Sequence, residues 1–106
     1  MNGREQENDR AKRIAKEFNA KDAIFNTSLL DALMLAESDP QKAREALSAL
    51  MSLAYDQKSI ATVYFHRHQI EHVSEFKEKA LEIFQRLYEK TKNIEYKQKI
   101  DILLVQ

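Results

Sequence analysis

The sequence predicts an all-α fold of five, or at most six, helices, arranged as a bundle or a short stack of helical hairpins with no β-sheet. Three observations lead there. The 106 residues include one glycine and one proline, whereas strand-and-turn architectures need those residues at their corners. Apolar side chains recur every three or four positions along most of the chain, the period of a helix with one buried face. The segments between these runs hold Asn, Asp and Ser, which favour helix starts. The length fits one domain, able to bury roughly 65% of its unfolded surface. The polar start, residues 1–10, is expected to fray, leaving 11–106 as a single helical domain.

The elements follow in order. Ala11, Ile14, Ala15 and Phe18 fall at helical spacing and open the first helix. Asn19 and the run Asn26-Thr27-Ser28 are both candidate breaks after it. Leu29, Leu30, Leu33, Met34 and Ala36 then make a segment apolar on most sides, which predicts a central position. Asp39-Pro40 is the clearest punctuation, with Asp39 as N-cap and Pro40 at the first helical position, where no amide hydrogen is needed. Ala43, Ala46, Leu47, Leu50, Leu53 and Ala54 form the next stripe, and its alanines imply close approach of a neighbouring helix. Asp56 to Ser59 caps the following helix, which holds all three histidines. Ser74 is the expected cap of the next, with Phe76, Ala80, Ile83, Phe84 and Leu87 as its buried face. Asn93 marks a weaker boundary before a last helix carrying Ile100, Leu103 and Leu104.

Charge narrows the function classes. Lys and Arg number 17, as do Asp and Glu, so no net field draws the chain to nucleic acid or to an anionic membrane. Residues 1–21 carry six basic and four acidic groups, residues 77–106 seven and five, and the middle four and eight. Basic ends around an acidic centre would suit antiparallel or head-to-tail pairing of copies, but a distribution this mildly uneven is first read as the ordinary scatter of a solvated surface. Tyr88, Lys90, Lys92, Tyr96, Lys97 and Lys99 mix bases with aromatics as nucleic-acid surfaces do, but Glu89, Glu95 and Asp101 interleave and reduce that field. The absence of cysteine removes disulfide and thiolate chemistry. MNGREQENDR is no signal sequence, and the longest apolar stretch, LLDALMLA, is too short to span a bilayer. A cytoplasmic location is expected. The only glycine is Gly3, so no phosphate loop is present, and no cofactor is expected.

A weak internal period adds to the helical reading. KAREALSALMSLAYDQK, residues 42–58, lies over FKEKALEIFQRLYEKTK, residues 76–92, at an offset of 34, matching Ala46 to Ala80, Leu47 to Leu81, Leu50 to Phe84 and Leu53 to Leu87. EFKEKALEIFQRLYEK resembles the second helix of a tetratricopeptide hairpin, whose repeat has this length. Met34 and His68 stand where that family's first helix usually has a small residue. The resemblance implies stacked hairpins with a concave face for peptide segments of partner proteins, two repeats needing flanking helices as caps.

FHRHQIEH, residues 65–72, gathers the three histidines. At about 100° per residue His68 and His72 share a helix face and His66 lies nearly opposite, so only His68 and His72 are candidates for one metal. His68, Glu71 and His72 match the H-x-x-E-H pattern of inverted zinc proteases, but no further histidine follows to complete the site. Arg67 and His72 match the R-x4–6-H pattern of HEPN domains, helical bundles that include metal-independent ribonucleases. That resemblance implies a phosphate held by Arg67 and proton transfer by His72. On one regular helix the two lie about 140° apart, so a shared site needs a break or a dimer. Phosphotransfer through His68 is opposed by Glu71 close behind it. Alternatively these residues form a polar helix edge, with no chemistry beyond mild sensitivity near pH 6.5.

With no motif able to supply chemistry unaided, the expectation is a small protein-interaction module: an adaptor, inhibitor or assembly subunit. The run Ile100 to Val105 is more apolar than one buried stripe requires. Ile100, Leu103, Leu104 and Val105 are therefore the candidate partner-binding residues, and a homodimer is an expected state. A HEPN-type ribonuclease, or an inactive relative, using Arg67 and His72 is the alternative.

Overall fold

The computed structural model describes the backbone of residues 3–106, and the side chains of these except at 3–12, 14, 15 and 18. Five α-helices follow one another: α1 (Gly3–Ser38), α2 (Pro40–Leu50), α3 (Gln57–Glu71), α4 (Ser74–Thr91) and α5 (Ile94–Leu104), with a single 3₁₀ turn at Met51–Leu53. No strand occurs among the described residues, so the fold is all-α.

The first two expected helices are one. Neither Asn19 nor Asn26-Thr27-Ser28 interrupts α1. Each of these residues costs a helix only about 0.5 kcal/mol relative to alanine, far less than an internal proline. Asn26 turns its amide back one turn to the Asp22 carboxylate at 3.2 Å rather than capping a new helix. The polar start is helical from Gly3; Met1, Asn2 and the side chains up to Lys12, on which the expected fraying bears, lie outside the described residues.

The stop comes at Asp39, whose carboxylate accepts from the Lys42 amide at 3.2 Å, with Pro40 opening α2. The stripe expected to run through Leu53 to Ala54 loses Leu53 alone, for Ala54 still packs against the same core. Ala43, Leu47 and Leu50 are buried, but the chain tightens at Met51 and leaves Leu53 exposed. Asp56 caps α3 by accepting from the Ser59 amide at 2.8 Å and from the Ser59 hydroxyl. Asn93 caps α5 through the Glu95 amide at 2.9 Å. Ser74 does not cap α4; Val73 holds that position without a side-chain bond, and its carbonyl accepts from the amides of Phe76 and Lys77. The physical reason is His72. Its left-handed backbone, φ 56°, reverses the chain at once, so α4 begins a residue early. Lys92, φ 55°, makes the same reversal between α4 and α5.

Each helix packs chiefly on its neighbours in sequence, giving a chain of contacts from α1 to α5. Two buried clusters result. Phe25, Ala32, Leu47, Leu50 and Val63 join α1, α2 and α3. Ala61, Phe65, Ala80, Phe84, Ile100 and Leu103 join α3, α4 and α5. The middle helix α3 belongs to both, with Val63 and Ile70 on one side and Ala61 and Phe65 roughly 170° round from them.

The molecule is a plate of 57 × 31 × 18 Å. Its radius of gyration of 16.8 Å exceeds the value of about 13 Å for a compact domain of this length. α1 sets the long axis, since 36 residues rising 1.5 Å each span about 54 Å. The apolar segment after Ser28 is not central. It forms the C-terminal part of α1, which packs on α2 and the 3₁₀ turn only at the edge of the plate, so Leu30 and Met34 stay 60% and 68% exposed.

Candidate functional site

The histidine helix is built by packing rather than by a cavity. Because the Ala61–Phe65 side of α3 faces a core, His68 one turn further is buried too, at 8% exposure. Its Nδ1 lies 3.2 Å from the Val73 carbonyl. A carbonyl only accepts, so Nδ1 is the donor in this contact and is not open to a metal. His72 ends the helix in left-handed backbone, exposed, with its ring edge-on to His68 at 6.1 Å between centroids. His66 sits apart, half-buried edge-on against Phe65 at 5.2 Å. Its pKa is pushed down to about 4, first by burial and then by the charge of Lys99. His66 is therefore half-buried rather than a fully open helix edge.

Arg67 is committed within the fold. Its Nε donates to Glu71 at 3.0 Å, and the guanidinium lies 4.1 Å from the centre of the Phe76 ring. Phe76 stacks in turn on Tyr64. The helix break at His72 removes the regular geometry that kept Arg67 and His72 apart, yet the contacts of Arg67 run to Glu71 and Phe76 and those of His72 to His68. Neither lines any of the three clefts described below. Among the described residues no group of three or more His, Asp or Glu is placed to hold a metal ion.

The candidate partner-binding residues divide. Ile100 and Leu103 point into the core shared by α3, α4 and α5, Leu103 with no exposed surface. Leu104 and Val105 stay outside it, 60% and 85% exposed, with Ile94 and Ile102 also open. Their segment is tied down. Gln106 exchanges two side-chain hydrogen bonds with Gln69, at 2.8 and 2.7 Å, and its backbone oxygen accepts from Lys77 at 2.7 Å.

The sequence did not point to the cleft between α1 and the start of α3. It measures about 290 Å³ and is walled by Asp22, Phe25, Tyr55, Asp56, Ser59 and Lys99, among others. The Tyr55 hydroxyl donates to Asp22 at 2.5 Å, and the phenol is pushed up to about 12, first by burial and then by this bond. A phenol so held stays protonated and serves as a strut between α1 and the loop that precedes α3. Its partner lies 33 positions away, a separation at which no sequence period links them. A second cleft of about 240 Å³ beside Ile24 and Leu53, and a third of about 100 Å³ beside Ile83 and Leu87, are smaller still. All three fall below the volume of about 300 Å³ at which enclosed ligand pockets begin.

No helix among the described residues is long and apolar enough to cross a membrane. No family model matches this chain, nor does any curated protein or solved structure.

Proposed function

We propose that the chain is a cytoplasmic protein-interaction module that grips another protein through the outward side of α5, with no catalytic site of its own. The observation that carries this is the division of α5. Ile100 and Leu103 lock the helix to the core, while Leu104 and Val105 remain open on a segment anchored by Gln69 and Lys77. Apolar side chains presented on a fixed segment lose little entropy when covered, which suits a contact surface. The recurrence of hairpins supports the same reading. α2 starts at Pro40 and α4 at Ser74, the 34-residue offset of the internal period, which supports reading α1–α2 and α3–α4 as two tetratricopeptide-like units with α5 as their closing helix.

The test is affinity capture from the host with wild type, with Leu104→Asp/Val105→Asp, and with Glu89→Gln as a surface control, followed by titration of the purified partner. The double variant should bind at least about 10-fold more weakly, and the control as well as wild type. A partner held equally by all three would overturn the assignment to α5.

A further inference from the structure

α1 carries two apolar stripes, and the fold covers one. Phe25, Leu29 and Ala32 face α2 and the core. On the opposite side, Ala20, Ala23, Thr27, Leu30 and Met34 follow at spacings of three, four, three and four, and every one is exposed. At about 100° per residue they fall within an arc of roughly 80°. This is the spacing of a two-helix coiled-coil seam, about 21 Å long, and all five of its side chains are left exposed among the described residues.

We propose that this seam binds a second copy of the chain, with the two α1 helices antiparallel about a two-fold axis near Thr27. Side-chain size selects the orientation. The stripe is small at one end, Ala20 and Ala23, and large at the other, Leu30 and Met34. Antiparallel pairing sets Ala20 against the partner's Met34 and Ala23 beside the partner's Leu30, so large groups fill the space that small ones leave. Parallel pairing sets alanine on alanine and methionine on methionine. Charge selects it again. Exposed Lys16 continues the stripe beyond Ala20, and exposed Glu37 flanks it beyond Met34. Antiparallel copies bring each Lys16 to the partner's Glu37, twice per dimer, whereas parallel copies stack like on like. The helix dipoles also oppose only when antiparallel. Such a contact is self-complementary and closes at two copies.

About five residues a side is far fewer than the 20–30 of a standard stable interface, so the dimer is a weak one. The inference shares with the proposed function only the premise that exposed apolar surface serves contacts. Its test uses the isolated protein, and the α5 variant Leu104→Asp/Val105→Asp should leave dimerisation unchanged, so either assignment can fail without the other.

Sedimentation velocity from about 5 to 500 μM should show a monomer–dimer equilibrium, with circular dichroism confirming that each variant is folded. Leu30→Glu/Met34→Glu, both on exposed positions, should weaken dimerisation on the order of 100-fold. Lys16→Glu alone and Glu37→Lys alone should each weaken it by about 5-fold, and the two together in one chain should restore it. Because the chain has no cysteine, engineered thiols report orientation directly: Ala20→Cys mixed with Met34→Cys should form the crossed disulfide, and Ala20→Cys alone should not form one. A monomer at every concentration, a dimer indifferent to Leu30→Glu/Met34→Glu, or self-linking of Ala20→Cys would each overturn the proposal.

Discussion

Replacing Phe84 by alanine tests how the plate is held together. Phe84 is 2% exposed and lies in the core of α3, α4 and α5. Its ring meets Phe65 edge-on at 6.4 Å and Tyr96 at 6.2 Å. Truncating a buried phenylalanine costs about 3–5 kcal/mol in lost transfer energy and residual cavity. Each aromatic pair adds about 0.5–1.5 kcal/mol beyond area alone, which places Phe84→Ala toward the top of that range. A domain of this length has roughly 5–15 kcal/mol in total, so the variant should sit near the threshold of folding. The informative part is the shape of the transition. Val63 and Phe65 tie opposite sides of α3 to different cores, so loss of one core removes half the support of the helix that the other also needs. Urea denaturation followed by circular dichroism should shift to a lower midpoint in one step with unchanged slope. Leu47→Ala, in the other core with no exposed surface, should behave alike, at about 3–5 kcal/mol. A two-step curve for Phe84→Ala, with α1 and α2 surviving after α4 and α5 melt, would refute the coupling through α3. A loss below about 1 kcal/mol would refute the packing itself.

Three further outcomes follow from the geometry. His66 is held neutral in the fold but protonates near pH 6.5 when the chain unfolds, so its contribution is whole above pH 6.5 and is lost as pH falls toward 4. Wild type should therefore lose about 1–3 kcal/mol more than His66→Gln between pH 7.5 and 4.5 by urea midpoint, and parallel losses would refute the assignment. Lys92 occupies left-handed backbone, so Lys92→Gly should be neutral or stabilising by up to about 1 kcal/mol and Lys92→Val destabilising by about 1–2 kcal/mol; thermal melts that rank the two the other way would contradict the turn geometry. Arg67→Ala should lower stability by about 1–2 kcal/mol through loss of the Glu71 and Phe76 contacts. Incubated with RNA and EDTA, neither wild type nor this variant should cleave, and cleavage by wild type that disappears in both Arg67→Ala and His72→Ala would establish the ribonuclease alternative instead.

The features legible in the sequence were those set by local chemistry. Asp39-Pro40, Asp56 with Ser59, and Asn93 each announce a helix start, because a side-chain oxygen two or three positions from an amide needs no tertiary context. The stripes Ala43–Leu47–Leu50 and Ala80–Phe84 fix buried faces in the same way. Where the reading failed, a tertiary decision overrode a weak local one. Asn26 looks like a break and serves as a helix residue bonded to Asp22, and Ser74 looks like a cap until His72 turns the chain first. The surplus of apolar residues around Leu30 and Met34 was visible, but which side faced a neighbour was not, since period gives a face and never its occupant. Of the proposed contact surface, the sequence named the run Ile100–Val105 but did not divide it; that division depends on how α5 lies against Ala61 and Phe84. The Tyr55–Asp22 strut joins positions with no common period and was not visible at all.

Within α3 only Gln57 and Lys58 are exposed; every later position is at least partly buried. A wall that two rooms share cannot be given to either without leaving the other without one side. The chain therefore cannot be cut into two working halves between its hairpins, despite their 34-residue recurrence. Any segment ending before Gln57 lacks the lid of its own core, and any segment starting there carries Val63 and Ile70 bare into water. Dissection by truncation should yield aggregating fragments rather than modules, so the two proposed contact surfaces have to be tested by point substitution in the whole chain.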